Sequence, residues 1–296
     1  MKTINRDKTS FVFSKDIPPV EHAGSGEMVR FQCQDCYCDQ ITEDGFDFSK
    51  LDRRQGNPAT GPLYVDGAEP GDVLRIDVKK IDLASSGCAC VREGAGIYEI
   101  EGNHCKRYPV AGGFVQYAHG IKVPIKPMIG VIGVAPIGGE ESTRRPGEHG
   151  GNLDIKDLCE GTSIYLPVNV PGALLSMGDL HAVQGDGETV ICALEMSGEV
   201  TVEVTLLKKR SDIPTPFLVT KTHYMTTAAS DSLDDCNVKA ARKMHRFLQD
   251  HSQLNDTESG LLLSMAGNLR ISQVVNPLKG CIMDFPIGLA NERFEG

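Results

Sequence analysis

One segment concentrates groups that can hold a cation. Gly178-Asp179-Leu180-His181 is followed by Gly185-Asp186-Gly187-Glu188. Asp179 and His181 are two residues apart, so on a strand they share one face, roughly 7 Å apart. A carboxylate and an imidazole so placed reach one divalent ion, which can activate water or polarise a carbonyl. Gly185-Asp186-Gly187 is a hairpin signal. With Asp186 at the turn centre, Glu195 returns opposite Met177, diagonal to Asp179, and faces the same way as Asp179 and His181. A one-residue slip would turn Glu195 to the other face. The bland alternative is a polar hairpin end carrying a surface histidine.

Three further polar knots accompany this segment. Gly150-Gly151-Asn152-Leu153-Asp154 sets Asn152 and Asp154 on one face of a glycine-rich loop, although a simple Asx turn uses the same residues. Asn57-Pro58-Ala59-Thr60-Gly61-Pro62 is a rigid loop that leads to Glu69 and Asp72 in a turn. Asp35 lies inside Cys33-Gln34-Asp35-Cys36-Tyr37-Cys38. One histidine among several carboxylates suits zinc or calcium. It does not suit a copper redox site or an iron–sulfur cluster.

The 10 cysteines pose a separate question. Met1 to Lys8 contains no apolar core of a secretory leader, so a cytoplasmic protein with free thiols is expected. Cys33, Cys36 and Cys38, with Cys88 and Cys90, offer two knuckles for a thiolate zinc, but the second lacks the usual two-residue spacer. Small buried residues on strands would give the same pattern. A reactive thiolate would need a neighbouring histidine and a depressed pKa.

The elements that must position these groups read mainly as β. Short apolar runs alternate with turns up to about residue 215, among them Val73–Val78, Ser163–Val168 and Ala173–Met177. Thr189–Met196 and Val200–Leu207 read as paired strands around Ser197-Gly198. The absence of Trp and the 32 glycines fit a turn-rich β architecture. Residues 1–215 therefore form a β-sandwich or barrel-like core. After Pro214 and Pro216 the pattern changes to a small α+β unit, residues 216–296. A helix runs from Ser230 to His251, capped by Ser230 or Asp231, with Val238, Ala241, Met244 and Leu248 on one stripe. A second runs from Asp256 to Ala266 and stops at Gly267, before a strand over Leu269–Val275.

The whole chain of 296 residues carries 40 acidic against 30 basic side chains, a net charge of −10. Broad nucleic-acid binding, which needs clustered Lys and Arg, is not expected. The longest apolar run, Met128 to Ile137, is interrupted by Gly130, Gly133 and Pro136, so no membrane span is expected either.

Several long stretches are similar to the acetamidase/formamidase family. They are Asn57–Leu74 (NPATGPLYVDGAEPGDVL), Pro127–Pro136 (PMIGVIGVAP), Gly150–Val168 (GGNLDIKDLCEGTSIYLPV), Gly172–Glu188 (GALLSMGDLHAVQGDGE) and Leu261–Leu278 (LLLSMAGNLRISQVVNPL). The resemblance covers nearly the whole chain and is to the shorter, acetamidase-like branch. It implies a β-rich fold, hydrolysis of a small amide substrate to carboxylate and ammonia, and a homo-oligomer, dimer or higher. It also implies a divalent metal, zinc first and calcium as a second ion. The family's metal-site positions map onto Asp35, Glu69, Asp179, His181 and Glu195, with Asn57 and Asn152 lining the pocket. Three cysteines around Asp35 depart from the pattern.

On that reading Asp179, His181 and Glu195 hold the ion, joined by Asp35. Glu69 is the general base, although Glu69 and Glu195 could exchange roles. Asn57 and Asn152 stabilise the oxyanion. Two other classes fit the same residues: an amidase with a cysteine nucleophile, and a non-catalytic, calcium-dependent β-sandwich that binds a small ligand.

Overall fold

The structure, a computed structural model, describes residues 1–289 and Phe294. Among these residues two large sheets face each other. The first has nine strands, in the spatial order Lys2–Ile4, Glu27–Cys33, Gly198–Leu207, Val73–Leu83, Ser163–Pro167, Phe217–Val219, His223–Ser230, Lys279–Pro286 and Asn268–Gln273. The second has eleven and is centred on Leu175–His181. One edge of that central strand pairs with Met128–Gly133, and the other is divided between Ala59–Val65 and Glu195–Met196.

Alternation explains the packing. In Gly198–Leu207 the valines 200, 202 and 204 are fully buried, while Glu199, Thr201 and Glu203 face outward. These valines meet Ile129, Ile132, Leu175, Met177 and Leu180 of the other sheet in one apolar core. The chain is thus a mainly β, sandwich-like molecule with a small α+β portion at its C-terminal end.

Three expectations about strands are corrected. Thr189–Met196 is not one strand, because only Glu195–Met196 is extended, and it lies in the second sheet. The chain then crosses at Ser197-Gly198 into the first sheet, so the two segments do not pair with each other. Gly185-Asp186-Gly187 is not a two-residue hairpin either. It belongs to a longer loop in which Gly187 donates to the Ser272 carbonyl at 3.0 Å.

Helices cover the outer face of the first sheet. Leu233–Asp250 starts at Ser232, whose side chain accepts from the Asp235 N–H, with Asp234 and Asp235 in the first turn. Ser230 and Asp231, the expected caps, both precede it, and Ser230 still belongs to a strand. The buried stripe is Cys236, Ala240, Met244, Phe247 and Leu248, whereas Val238 is exposed. Asp256–Ala266 opens with a capping box between Asn255 and Glu258 and ends at Gly267. The boundary expected near residue 215 falls in a loop, and the strands beyond it continue the first sheet. Leu218, Met225 and Ile282 from that portion reach the central core.

Candidate functional site

The site forms where the central strand of the second sheet loses its regularity. Met177 and Leu180, three residues apart, both enter the core, so simple alternation breaks between them. Asp179 sits at the break with φ of 57°, in the left-handed region. Asn57 (φ 55°), Asp154 (φ 46°) and Glu188 (φ 41°) share that conformation. Four non-glycine residues in this region around one cavity is the kind of local strain that clusters at functional sites.

The side chains then converge. His181 lies directly opposite Glu195 in the strand pairing. His181 Nε2 is 3.1 Å from Glu195 Oε2 and 3.5 Å from Asp179 Oδ1. Asp179 Oδ2 accepts from Asn57 Nδ2 at 3.1 Å and from the Asn152 amide nitrogen at 3.0 Å, with the Asn152 amide oriented by its partners. Glu195 Oε1 accepts from the Ala193 N–H at 3.0 Å. His181 Nδ1 is 2.8 Å from Gln184 Oε1. Gln184 Nε2 donates to the Asp154 carbonyl at 2.7 Å, so Oε1 is left to accept from His181. That fixes the proton on Nδ1 and leaves Nε2 to face the two carboxylates.

Close approach of strands makes room for these acids. A Cβ on Gly130 would lie 2.7 Å from Asp154 Oδ1 and 2.8 Å from the Asp179 carbonyl oxygen and Oδ2. Only glycine at this position lets the neighbouring strand back the carboxylates so closely.

Burial sets the electrostatics. Asp179 is pushed up to about 6 by burial and by the charge on Glu195. Asp154 rises to about 7 through burial and the charge on Asp179, and burial with the Asp154 charge holds Glu188 well above the carboxylate range. Burial opposes charge on His181, but Glu195 and Asp179 outweigh it and hold the imidazole well above its ordinary value. The acids outnumber the one imidazole, so the cluster as a whole is short of positive charge.

Two groups of ligand atoms follow: Cys36, Asp179 and Glu195, and Asp154, His181 and Glu188, each within 4.8 Å of one another. Asp179 Oδ1, His181 Nε2, Glu195 Oε2, Asp154 Oδ1 and Glu188 Oε2 are all buried with no hydrogen-bond partner in the protein. Buried polar atoms are rarely left so. Such atoms in two neighbouring groups of donors fit a divalent cation with its water, and the nitrogen, oxygen and sulfur donors fit a borderline ion.

The expected residues are sorted by this geometry. Asn57, Asn152, Asp154, Asp179, His181 and Glu195 come together. Glu195 stands opposite His181 rather than Met177, and through that direct pairing it meets His181 as expected. Asp35 does not join. It is buried, but its Oδ1 accepts from the Tyr37 and Asp39 N–H groups at 2.9 and 2.8 Å and so shapes the turn that carries Cys36. Glu69 is corrected outright as the base. It is exposed in the turn beyond the far end of Ala59–Val65, where its N–H donates to Asp72 Oδ2 at 3.0 Å.

The thiolate knuckles do not form. The ten cysteines are free, and Cys33 Sγ donates to the carbonyls of Phe31 and Met177 while Cys88 Sγ approaches Asp35. Sequence reasoning missed Cys36 as a site residue, along with Gln184, Glu188 and Asn276. Asn276 Nδ2 donates to Asp154 Oδ2 at 2.6 Å. No motif in the sequence marks Asn276, which follows the end of the strand expected over Leu269–Val275.

Above these groups opens a cavity of about 380 Å³, with Asp154, Asp179, Glu188 and Glu195 at its floor and Tyr37 and Phe48 among its walls. No helix among the described residues is long and apolar enough to cross a membrane.

Fold and site together define a β-rich protein with a buried carboxylate–imidazole centre. The chain belongs to the Acetamidase/Formamidase family, which it matches over residues 3–139 and 139–227. It is 42% identical to the acetamidase from Bacillus halodurans, whose crystal structure superposes with a TM-score of 0.95 over 97% of each chain. It is 36% identical to a predicted acetamidase/formamidase from Thermoanaerobacter tengcongensis, again with a TM-score of 0.95 and 99% of each chain covered. A putative formamidase of Schizosaccharomyces pombe is 30% identical over 65% of this chain. The match spans 62% of that relative's length, less than two thirds of it.

Proposed function

We propose that this protein hydrolyses short-chain amides to a carboxylate and ammonia, with a divalent metal held by Asp179, His181 and Glu195. The observation that carries the reading is the convergence of Asp179 Oδ1, His181 Nε2 and Glu195 Oε2, all buried and facing only one another, beneath a cavity that Asp179 and Glu195 line. Membership of the family and its likeness to an acetamidase support the substrate class. Zinc is the ion this donor set favours, because calcium takes six to eight oxygens and has little use for an imidazole or a thiol. Bound there, such an ion supplies an acidified water and a Lewis acid for the amide carbonyl.

The chain's own groups do the rest. Gln184 holds the His181 ring through Nδ1, and the Ala193 N–H holds one oxygen of Glu195. Asn57 and Asn152 keep Asp179 in place and present amides to the cavity. Glu188 replaces Glu69 as the group that takes the water proton and returns it to the departing nitrogen: its Oε2 is free at the cavity, and a cation bound beside it would draw its raised pKa back toward the carboxylate form. A thiol nucleophile is the weaker reading. Cys36 lies in the cavity, but burial and the nearby charges of Glu195 and Asp179 keep its thiol protonated.

Ammonia release from formamide and acetamide, measured before and after chelation together with metal content by elemental analysis, tests the reading. Activity lost with the metal and regained on adding zinc is expected. Full activity in metal-free protein overturns it. A cytoplasmic homo-oligomer is part of the same proposal, supported by ten free thiols and by the exposed apolar side chains Ile97, Tyr98 and Ile121. Light scattering checks the assembly.

A further inference from the structure

The geometry points to a specific substrate class for this site: an amide whose far end carries a carboxylate, gripped by Arg53, Arg92 and Arg144 at the cavity mouth. The inference rests on the amidase reading and extends it. Acetamide has four non-hydrogen atoms, whereas a cavity of about 380 Å³ falls in the range of ~300–1,000 Å³ that encloses much larger ligands.

The lining is also graded. The acids lie at the floor, with Asp179 and Glu195 at 2% and 1% exposure. Phe48, Leu51 and Ile191 form apolar walls above them, and the three arginines lie where the cavity meets solvent. In a chain with a net charge of −10, a mouth lined by three cations stands against the overall balance.

These cations are not engaged by the protein's own acids. The acid at the mouth, Asp52, is held by Arg54 through bonds of 2.9 Å from both Nε and Nη2. Among the described residues Arg53, Arg92 and Arg144 form no ion pair with a carboxylate. Arg144 is nevertheless fixed. Its Nε donates to the Gly56 carbonyl at 3.4 Å and its Nη2 to the Arg53 carbonyl. It lies against Gly56 so closely that a Cβ there would fall 2.3 Å from Nη2. A guanidinium held by neutral carbonyls keeps its full charge and most of its donors for a ligand, and its fork matches a carboxylate. The apolar walls between floor and mouth suit an aliphatic body. The reaction is then ⁻OOC–R–CONH₂ + H₂O → ⁻OOC–R–COO⁻ + NH₄⁺, in which the C–N bond breaks and water supplies the oxygen.

Hexanamide and the monoamide of adipic acid have the same number of carbons and differ at the far end, so they form the test pair for the metal-loaded enzyme. The monoamide is expected to show kcat/KM at least tenfold higher, with the advantage shrinking as salt is added. Arg144→Ala and the double variant Arg53→Ala/Arg92→Ala should bring the ratio of the two kcat/KM values toward one. Gly56→Ala, which displaces the guanidinium but removes no charge, should lower the ratio as well. Adipate binding is followed in parallel by calorimetry in wild type and in Arg144→Ala. Equal kcat/KM for the two amides in wild type overturns this inference and leaves the amidase reading standing. Arginine-dependent adipate binding without turnover of any amide supports the anion site and removes the amidase reading. No adipate binding and no turnover of any amide, formamide and acetamide included, overturns both.

Discussion

The residues of the site are held in conformations and protonation states that a stable protein has little reason to keep. Glu188 combines a left-handed backbone (φ 41°) with a buried, unpartnered carboxyl oxygen. Glu188→Gly relieves both, so metal-free protein should gain about 1–2 kcal/mol in denaturant unfolding while ammonia release falls. A loss of stability would show that Glu188 is structural. Asp179→Ala and His181→Ala should each lose bound metal and lower turnover by about 100-fold or more; wild-type turnover in either removes that pair from the chemistry. Glu69→Ala, on an exposed turn, should leave both readouts unchanged. At this scale the sequence was informative where chemistry is local. Asp179, His181, Asn152 and Asp154 could be found from residue type and glycine context. Cys36 and Glu188 stand in segments that the sequence marks, but their aim into this site is not legible there, because a turn around Asp35 and a loop pinned to Ser272 set it, and neither leaves a periodic trace.

Elements decide whether those residues meet. The pairing of Glu195 with His181 shows how tolerant the inference from a hairpin is. The expected turn does not form, yet the direct pairing of Glu195 with His181 still brings the two side chains together. The Thr189–Met196 stretch is not one strand because its first part is a loop that runs along the cavity through Ile191 and Cys192. The second helix was more legible, since its bounds and its stop at Gly267 were read from local sequence. Gly130→Ala tests the element-level claim. Its Cβ would press on both an acid side chain and the backbone of the facing strand. A cost of about 1–3 kcal/mol in thermal or denaturant unfolding is expected, together with weaker metal binding. Unchanged melting and metal content would mean that the strands part freely.

For the whole molecule, the two sheets and the C-terminal portion act together. Because Leu218, Met225 and Ile282 enter the main core, a fragment of residues 1–215 should lack a cooperative unfolding transition. A sharp transition in that fragment would make the two portions separate folding units. His149 adds a pH dependence. It is 6% exposed and packs edge-on to Phe13, with ring centroids 5.2 Å apart. Burial and then the charge of Arg145 lower its pKa from 6.5 to about 4. Between those values the unfolded chain binds the extra proton, so stability falls as pH drops through that window, by at most about 3 kcal/mol. His149→Phe should flatten this part of the profile in circular-dichroism melts, and an unaltered slope would assign it to other groups. One contact described above also has a consequence for synthesis. Asn276, which braces Asp154, is among the last site residues to leave the ribosome, long after Cys36 and Asn57. A growing chain therefore carries most of its ligand set before the brace exists, and the finished centre is a late event in the protein's birth.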